Sequence, residues 1–323
     1  MKGNVFFLFP GQGAQYPGMG LDLFEKAQKI PGGEKIKNLF SLASEIIGKD
    51  IAALIRDSSP ETLKRTDISQ PTITLVNLAA MAYLGAMGIK PAGSAGFSLG
   101  EYSALAASGV ISEEECLFLV NKRGIAMQAA IDNIPPGPQA PGMAAVTGMA
   151  PNQVESLIDE WKKTGITELT AANFNSQKQT VVSGSAAALE EAEKRFKEAG
   201  ARRFVRLQVA GPYHSPFMAQ AAEEFDVYLE KTTFKDPAIP LFSNVSGKQI
   251  ANGAEAKALA KKHILEGVRW TNEEAAITLL NPAALVEAGP GRTLQGFWKD
   301  TGSVVPCYTA GTVEDVNKLL EIL

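Results

Sequence analysis

Four prolines, Pro135, Pro136, Pro138 and Pro141, crowd the stretch between Asn133 and Gly142. Proline has no backbone donor and a fixed φ, so neither a helix nor a sheet interior can run through this stretch. The chain must be organised in two parts around a loop. The segment after the loop has a definite rhythm. Met143 to Met149 (MAAVTGM) reads as a strand, and Pro151 to Lys163 as a helix with Gly165 after its end. Glu168 to Asn173 and Thr180 to Ser183 read as two strands. Ala186 to Ala199 is a helix stopped by Gly200. Arg203 to Val209 alternates Phe204, Val205, Leu207 and Val209 into a last strand. The order β-α-β-β-α-β is the split βαβ, ferredoxin-like pattern. Residues 143–209 are therefore expected to form a small inserted subdomain, with 1–142 and 210–323 forming the core.

The flanking parts alternate strands and helices. Val5 to Phe9 reads as a first strand, ended by Pro10 and Gly11, and is too short for a signal-peptide core. Gln220 to Lys231 reads as a helix, Pro240 to Asn244 as a strand, and Glu255 to Glu266 as a helix. Ala284 to Ala288 (ALVEA) is a strand running into Gly289-Pro290-Gly291. This rhythm predicts an α/β core with a mainly parallel sheet and ligands at the carboxyl ends of its strands. The long uncharged stretch from Ile73 to Ile89 is expected to be a buried helix starting near Ser69 and Pro71 and stopping at Gly88, not a membrane span.

Composition removes several classes of function. With 31 Lys and Arg against 35 Asp and Glu, the formal net charge is −4, so the chain lacks the basic footprint of a nucleic-acid binder. Two cysteines and two histidines are too few for a disulfide framework or a zinc cluster, and the cysteine usage fits a reducing, cytoplasmic compartment. Cys116 and Cys307, in apolar surroundings, read as buried core residues.

Gly96-Phe97-Ser98-Leu99-Gly100 matches G-x-S-x-G, the nucleophile elbow. A serine there sits on a sharp strand-to-helix turn that exposes Oγ, and small flanking residues let backbone segments approach. Glu101 to Ser108 reads as the following helix, while the preceding AGSA is a weak strand without β-branched residues. A glycine-rich turn with an idle serine fits the pentapeptide equally well. A nucleophilic serine needs a base, and only His214 and His263 supply an imidazole. His214 lies in a loop (GPYHSP) after a strand, where such a base belongs. His263, among Lys261, Lys262 and Glu266, reads as a surface helix residue. No Asp or Glu is singled out as a third member. Phe9-Pro10-Gly11-Gln12-Gly13 is a second glycine-rich turn after a strand, with backbone N–H groups placed for an oxyanion but without a P-loop lysine or a dinucleotide spacing. Arg123, on an apolar helical stretch from Glu114 to Ala130, reads as a snorkelling surface residue or, more sharply, as a bidentate carboxylate clamp.

FPGQGAQYPGMG, GFSLGEYSAL, NKRGIAMQ, NFNS, GPYHSPFM and VEAGPGRTL occur together and in order. As a set they resemble the malonyl-CoA:acyl-carrier-protein transacylase family, with the acyltransferase domains of polyketide and fatty-acid synthases as cousins, over nearly the whole chain. The resemblance implies an α/β-hydrolase-like core with a ferredoxin-like insertion. It implies Ser98 as acyl acceptor, His214 as base, the backbone N–H groups of Gln12 and Leu99 as oxyanion hole, and Arg123 as partner of the malonyl carboxylate. A main-chain carbonyl near a glutamine position, held here by His263, is implied as third member. Phe97 departs from the family's usual histidine before the serine.

The activity implied is ping-pong malonyl transfer from malonyl-CoA to the phosphopantetheine thiol of acyl carrier protein, supplying fatty-acid biosynthesis. No cofactor, metal, nucleic acid or membrane is called for. A serine thioesterase and a non-catalytic carrier-docking module are the rivals. Because carrier proteins of this pathway are acidic, the basic cluster Lys194, Arg195, Lys197, Arg202, Arg203 and Arg206 is a candidate docking surface. Arg202 and Arg203 come first, since acidic neighbours on the helix are spaced to pair with the others.

Overall fold

The computed structural model describes residues 4–322. Its eight strands are β1 (Val5–Phe9), β2 (Gly93–Gly96), β3 (Gly142–Thr147), β4 (Leu169–Ser176), β5 (Gln179–Gly184), β6 (Arg203–Arg206), β7 (Ala284–Glu287) and β8 (Cys307–Thr309). They form two sheets. The main sheet has the order β2-β1-β7-β8, and every pair in it is parallel.

β1 is an unbroken apolar run because both its faces are covered. Val5, Phe7 and Phe9 pack into one core cluster, and Phe6 and Leu8 into another on the opposite face. Burying each of these aromatic side chains contributes roughly 1.5–3 kcal/mol. The weak-looking strand β2 is small for a steric reason: a Cβ on Gly93 would run into the Phe6 ring. Strand propensity is sacrificed there to the large side chains of its neighbour.

The second sheet has the order β4-β5-β3-β6 and is antiparallel throughout. Two amphipathic helices, Pro151–Lys163 and Ala186–Glu198, cover one face with Val154, Ile158, Trp161, Leu189 and Phe196 against Ala144, Val146 and Val182. The alternate residues Met143, Ala145 and Val181 face the other way, where Leu207 and Tyr213 pack on them.

Several boundaries differ from the sequence reading. β6 stops at Arg206: Leu207 N–H still reaches the Met143 carbonyl at 2.9 Å, after which the chain leaves the sheet for the cavity wall. Residues 240–244 are not a strand. Leu241 and Phe242 make only isolated bridges, to Ser94 and Gln249, because the chain turns at once to deliver Asn244 beneath β2. The helix expected from Ser69 spans Thr66–Ala86, so Pro71 lies inside it. Its first turn is anchored from outside by Thr66 N–H on Gln128 Oε1 at 2.8 Å, which lets the helix begin ahead of the proline. The helix expected over 255–266 is Gly253–Lys262. Cys116 is buried as expected, but Cys307 is only partly buried, on the edge strand β8. No helix among the described residues is long and apolar enough to cross a membrane.

Candidate active site

The elbow follows β2 directly. Ser98 has φ 49°, a left-handed conformation that costs a non-glycine residue about 1–3 kcal/mol. The flanking glycines are dictated by close approach: a Cβ on Gly96 would strike the Gly100 and Glu101 backbone, and one on Gly100 would strike the Phe9 carbonyl. The helix Gly100–Ala107 then starts immediately, aiming its N-terminus at the turn.

Asn244 holds this turn from below. Its Oδ1 accepts the Ser98 N–H at 2.6 Å, and its Nδ2 donates to the Gly96 carbonyl and to Glu273 Oε1, both at 2.7 Å. Its own backbone N–H donates to Glu101 Oε2 at 2.8 Å. Glu273 is fully buried, and burial first, then the nearby Glu101 carboxylate, pushes its pKa well above the usual range. The sequence reading passed over Asn244, Glu101 and Glu273. Polar residues at buried positions were their only signal, and burial is not visible in single residues.

Ser98 Oγ lies 2.8 Å from His214 Nε2. On the far side of the ring, His214 Nδ1 faces the Glu266 carbonyl at 2.9 Å and the His263 carbonyl at 3.1 Å. Carbonyls only accept, so Nδ1 carries the proton and Nε2 keeps its lone pair for the serine hydroxyl. Burial, reinforced by His263 and Arg123, lowers the His214 pKa to about 3. The ring is neutral at neutral pH. No carboxylate takes the third position; main-chain carbonyls do.

The Pro10–Gly13 turn packs against the elbow so closely that a Cβ on Gly11 would meet the Phe97 carbonyl, with the Leu99 N 3.5 Å away. Among the described residues neither the Gln12 nor the Leu99 backbone N–H has a protein acceptor. The Gln12 side chain is fixed by Nε2 donating to Tyr213 Oη at 2.9 Å.

Arg123 is not a snorkelling surface residue: it is 1% exposed. Its helix, Glu113–Asp132, opens with a Ser112–Glu115 capping box and buries Leu119, Val120 and Met127 on the stripe that also carries Arg123. The guanidinium lies over the Tyr102 ring, 5.6 Å from its centroid, and Nη2 is 3.4 Å from His263 Nδ1. Its Nε has no partner, and among the described residues no carboxylate forms an ion pair with it. His263 is likewise not on the surface. It follows the last helical residue on the buried face of Ala256 and Ala260, while Lys261 and Lys262 point outward.

Ser98, His214, Arg123 and Gln12 all line one cavity of about 370 Å³, roofed by Met143, Asn173, Val181 and Leu207 from the small sheet. Leu99 is buried just behind the serine. Phe97 also lines the cavity and packs on Trp270 and Phe297, each with ring centroids 5.7 Å away. The arrangement offers a paired nucleophile and base, two unused N–H donors beside them, and an unpaired cation at the other end. No three His, Cys, Asp or Glu side chains among the described residues converge as a metal site.

Comparison with known proteins identifies the family. The acyl transferase domain family matches residues 6–318. The malonyl CoA-acyl carrier protein transacylase of Bacillus subtilis (strain 168) is 33% identical over 320 residues, covering 99% of this chain and 97% of its own. The crystal structure of malonyl CoA-acyl carrier protein transacylase from Clostridium perfringens superposes with a TM-score of 0.89 at 34% identity, covering 99% of this chain and 97% of that one. A complex of a type II PKS acyl-carrier protein with its malonyl-transacylase matches with a TM-score of 0.88 at 30% identity, over 99% and 100% of the two chains. With its α/β-hydrolase-like core and inserted antiparallel sheet, this chain belongs to the acyltransferase family that includes the malonyl CoA-acyl carrier protein transacylases.

Proposed function

We propose that this protein moves a malonyl group from malonyl-CoA to the phosphopantetheine thiol of acyl carrier protein, through an acyl-enzyme on Ser98, for fatty-acid biosynthesis. The observation that carries the reading is a buried arginine without an acid. Arg123 shares a cavity with the Ser98–His214 pair, and a desolvated guanidinium without a carboxylate is costly unless an anionic ligand completes it. An acyl group bearing its own carboxylate supplies that anion.

In this reading Ser98 Oγ attacks the thioester carbon as its proton passes to His214 Nε2. The Gln12 and Leu99 backbone N–H groups stabilise the oxyanion; losing one such donor typically costs about 100- to 1,000-fold in rate. The C–S bond breaks and the CoA sulfur takes the proton from His214. The carrier thiol then gives its proton to His214, attacks the acyl-enzyme, and the proton returns to Ser98 Oγ. Each step balances with side chains and backbone donors alone, so the reading calls for no cofactor. We infer that residues 143–209 act as a small subdomain closing over a core of 1–142 and 210–323, since the cavity is lined from both sheets. A cytoplasmic location is inferred from the two free cysteines.

Intact-protein mass spectrometry tests the proposal. Incubation with malonyl-CoA is expected to add one malonyl mass, which added holo carrier protein removes and receives. Ser98→Ala is expected to abolish the adduct. Loss of the adduct to water at the same rate without carrier protein would instead make the chain a thioesterase. An adduct that persists on Ser98→Ala would overturn the assignment of the nucleophile.

A further inference from the structure

The side chain of His263 has no part in the proton transfers above. Its main-chain carbonyl accepts from His214 Nδ1, and the two rings meet edge to face with centroids 5.8 Å apart but share no hydrogen bond. Yet the ring is 1% exposed and lies between the two halves of the site. Its Nε2 is 3.2 Å from Asn244 Oδ1 and 3.3 Å from Glu101 Oε2. Its Nδ1 is 3.4 Å from Arg123 Nη2.

The neighbours fix what each ring nitrogen does. Asn244 Nδ2 donates to the Gly96 carbonyl, so the amide's other atom, facing His263, is the oxygen. Nε2 therefore faces two acceptors and carries the proton. Arg123 offers only donors, so in the neutral ring Nδ1 presents its lone pair to the guanidinium. Both contacts are satisfied by one tautomer. Asn244 in turn is tied to the elbow through the Ser98 N–H.

We propose that His263 is a positioning residue: its Nδ1 orients the Arg123 fork relative to the Asn244-braced elbow and so sets the preference for carboxylated acyl groups. The contact is long and uses one of the five guanidinium donors, leaving the others for a ligand. Glutamine at this position offers an NH2 donor group and a carbonyl acceptor on a side chain of comparable reach; leucine has neither. The inference rests on the reading of Arg123 as a carboxylate clamp.

The test compares Ser98 acylation by malonyl-CoA and acetyl-CoA in the full-length protein and in the His263→Leu, His263→Gln and Arg123→Ala variants. His263→Leu is expected to lower the malonyl-to-acetyl ratio of kcat/KM about 10- to 100-fold, the scale of one hydrogen bond to a charged group, and His263→Gln to restore it. An equal loss for both acyl groups, or an unchanged ratio in His263→Leu, overturns the positioning role. If Arg123→Ala itself leaves the ratio unchanged, it is the clamp reading that fails. Should His263→Leu not fold, ¹⁵N-histidine NMR of the unsubstituted protein decides. The His263 Nδ1 resonance is expected to be that of an unprotonated acceptor and to shift with malonyl-CoA but not with acetyl-CoA. A proton on Nδ1, or equal shifts with both, refutes the proposal.

Discussion

The two ends of the cavity are built on opposite rules. At the reacting end the nucleophile and its base are already matched, Ser98 Oγ to His214 Nε2, His214 Nδ1 to two carbonyls and the Ser98 N–H to Asn244, and only the Gln12 and Leu99 backbone N–H donors stand open among the described residues. At the other end a fully buried guanidinium has an aromatic face, one long contact to an imidazole and an orphan Nε. The first end is assembled before any substrate arrives, which lowers the reorganisation needed at the moment of reaction. The second is left incomplete, and in the proposed reading the ligand supplies its missing partner. In the same reading, selectivity and chemistry are thereby placed on different elements, the helix Glu113–Asp132 and the strand-to-helix elbow.

Removing a member of the matched end should have the largest effect. His214→Ala is expected to slow acylation of Ser98 by about 100- to 10,000-fold, the usual worth of a positioned general base, read by stopped-flow or quenched mass spectrometry. A loss below tenfold would mean that the short Ser98–His214 contact is not used. The pH dependence follows from the same burial. Because the native His214 pKa lies at about 3 against 6.5 for the free side chain, Nε2 stays unprotonated as pH falls from 7 towards 4. Its acid limb in the acylation profile should lie near pH 3. The unfolded chain takes up this proton between about pH 6.5 and 3 while the native state does not, so native stability falls across that window. His214→Ala should flatten part of that fall in a urea-denaturation series.

Breaking the incomplete end should do something different. Truncating one member of a buried, hydrogen-bonded charge pair costs roughly 2–5 kcal/mol. Arg123→Met is therefore expected to lose most malonyl transfer while acetyl transfer holds or rises. It should not destabilise the free protein. The change breaks no direct ion pair and loses the long His263 contact and the field of the nearby Glu101, while a desolvated charge is removed, so the melting temperature should hold or increase. If Arg123→Met melts well below the parent, the guanidinium is a structural strut and the contrast between the two ends fails.

What the chain made legible came from local chemistry. G-x-S-x-G marked the elbow because only glycines fit two backbone collisions there. The β-α-β-β-α-β rhythm marked the small sheet because its two helices each bury one apolar stripe and Gly165 and Gly200 punctuate their ends. His263 was misread as a surface residue, and for Arg123 a surface reading stood beside that of a carboxylate clamp. Charged neighbours suggested solvent for His263 and the long stem suggested snorkelling for Arg123, whereas the i, i+3, i+4 stripes of Ala256–Ala260–His263 and Val120–Arg123–Met127 carry both inward. Asn244 stayed hidden because its role is tertiary: it joins β2, the elbow and two carboxyl groups far apart in sequence.

The smallest effect lies outside the cavity, on the small sheet. The basic cluster there divides in two. Lys194, Arg195 and Lys197 pair along their helix with Glu190, Glu191 and Glu193 at 3.6, 2.9 and 2.6 Å. Arg202 and Arg203 are exposed, make no ion pair among the described residues, and line a groove with Lys178 beside the helix Thr293–Asp300. If an acidic carrier protein is steered to the cavity, these two charges are available to do it, as is Arg206, which is held only by the Ala186 carbonyl at 3.2 Å, whereas the helix charges are already neutralised. Surface charges each contribute about 0.2–1 kcal/mol, so reversing both to glutamate should raise the apparent KM for carrier protein by about 30-fold or less at low salt. The effect should fade as ionic strength shortens the screening length. Acylation of Ser98 by malonyl-CoA should be unchanged, because neither arginine lines the catalytic cavity. Reversing Lys194 and Lys197 instead serves as the comparison. If that pair shifts the carrier KM and the Arg202/Arg203 pair does not, the docking face lies on the helix and not beside the strand.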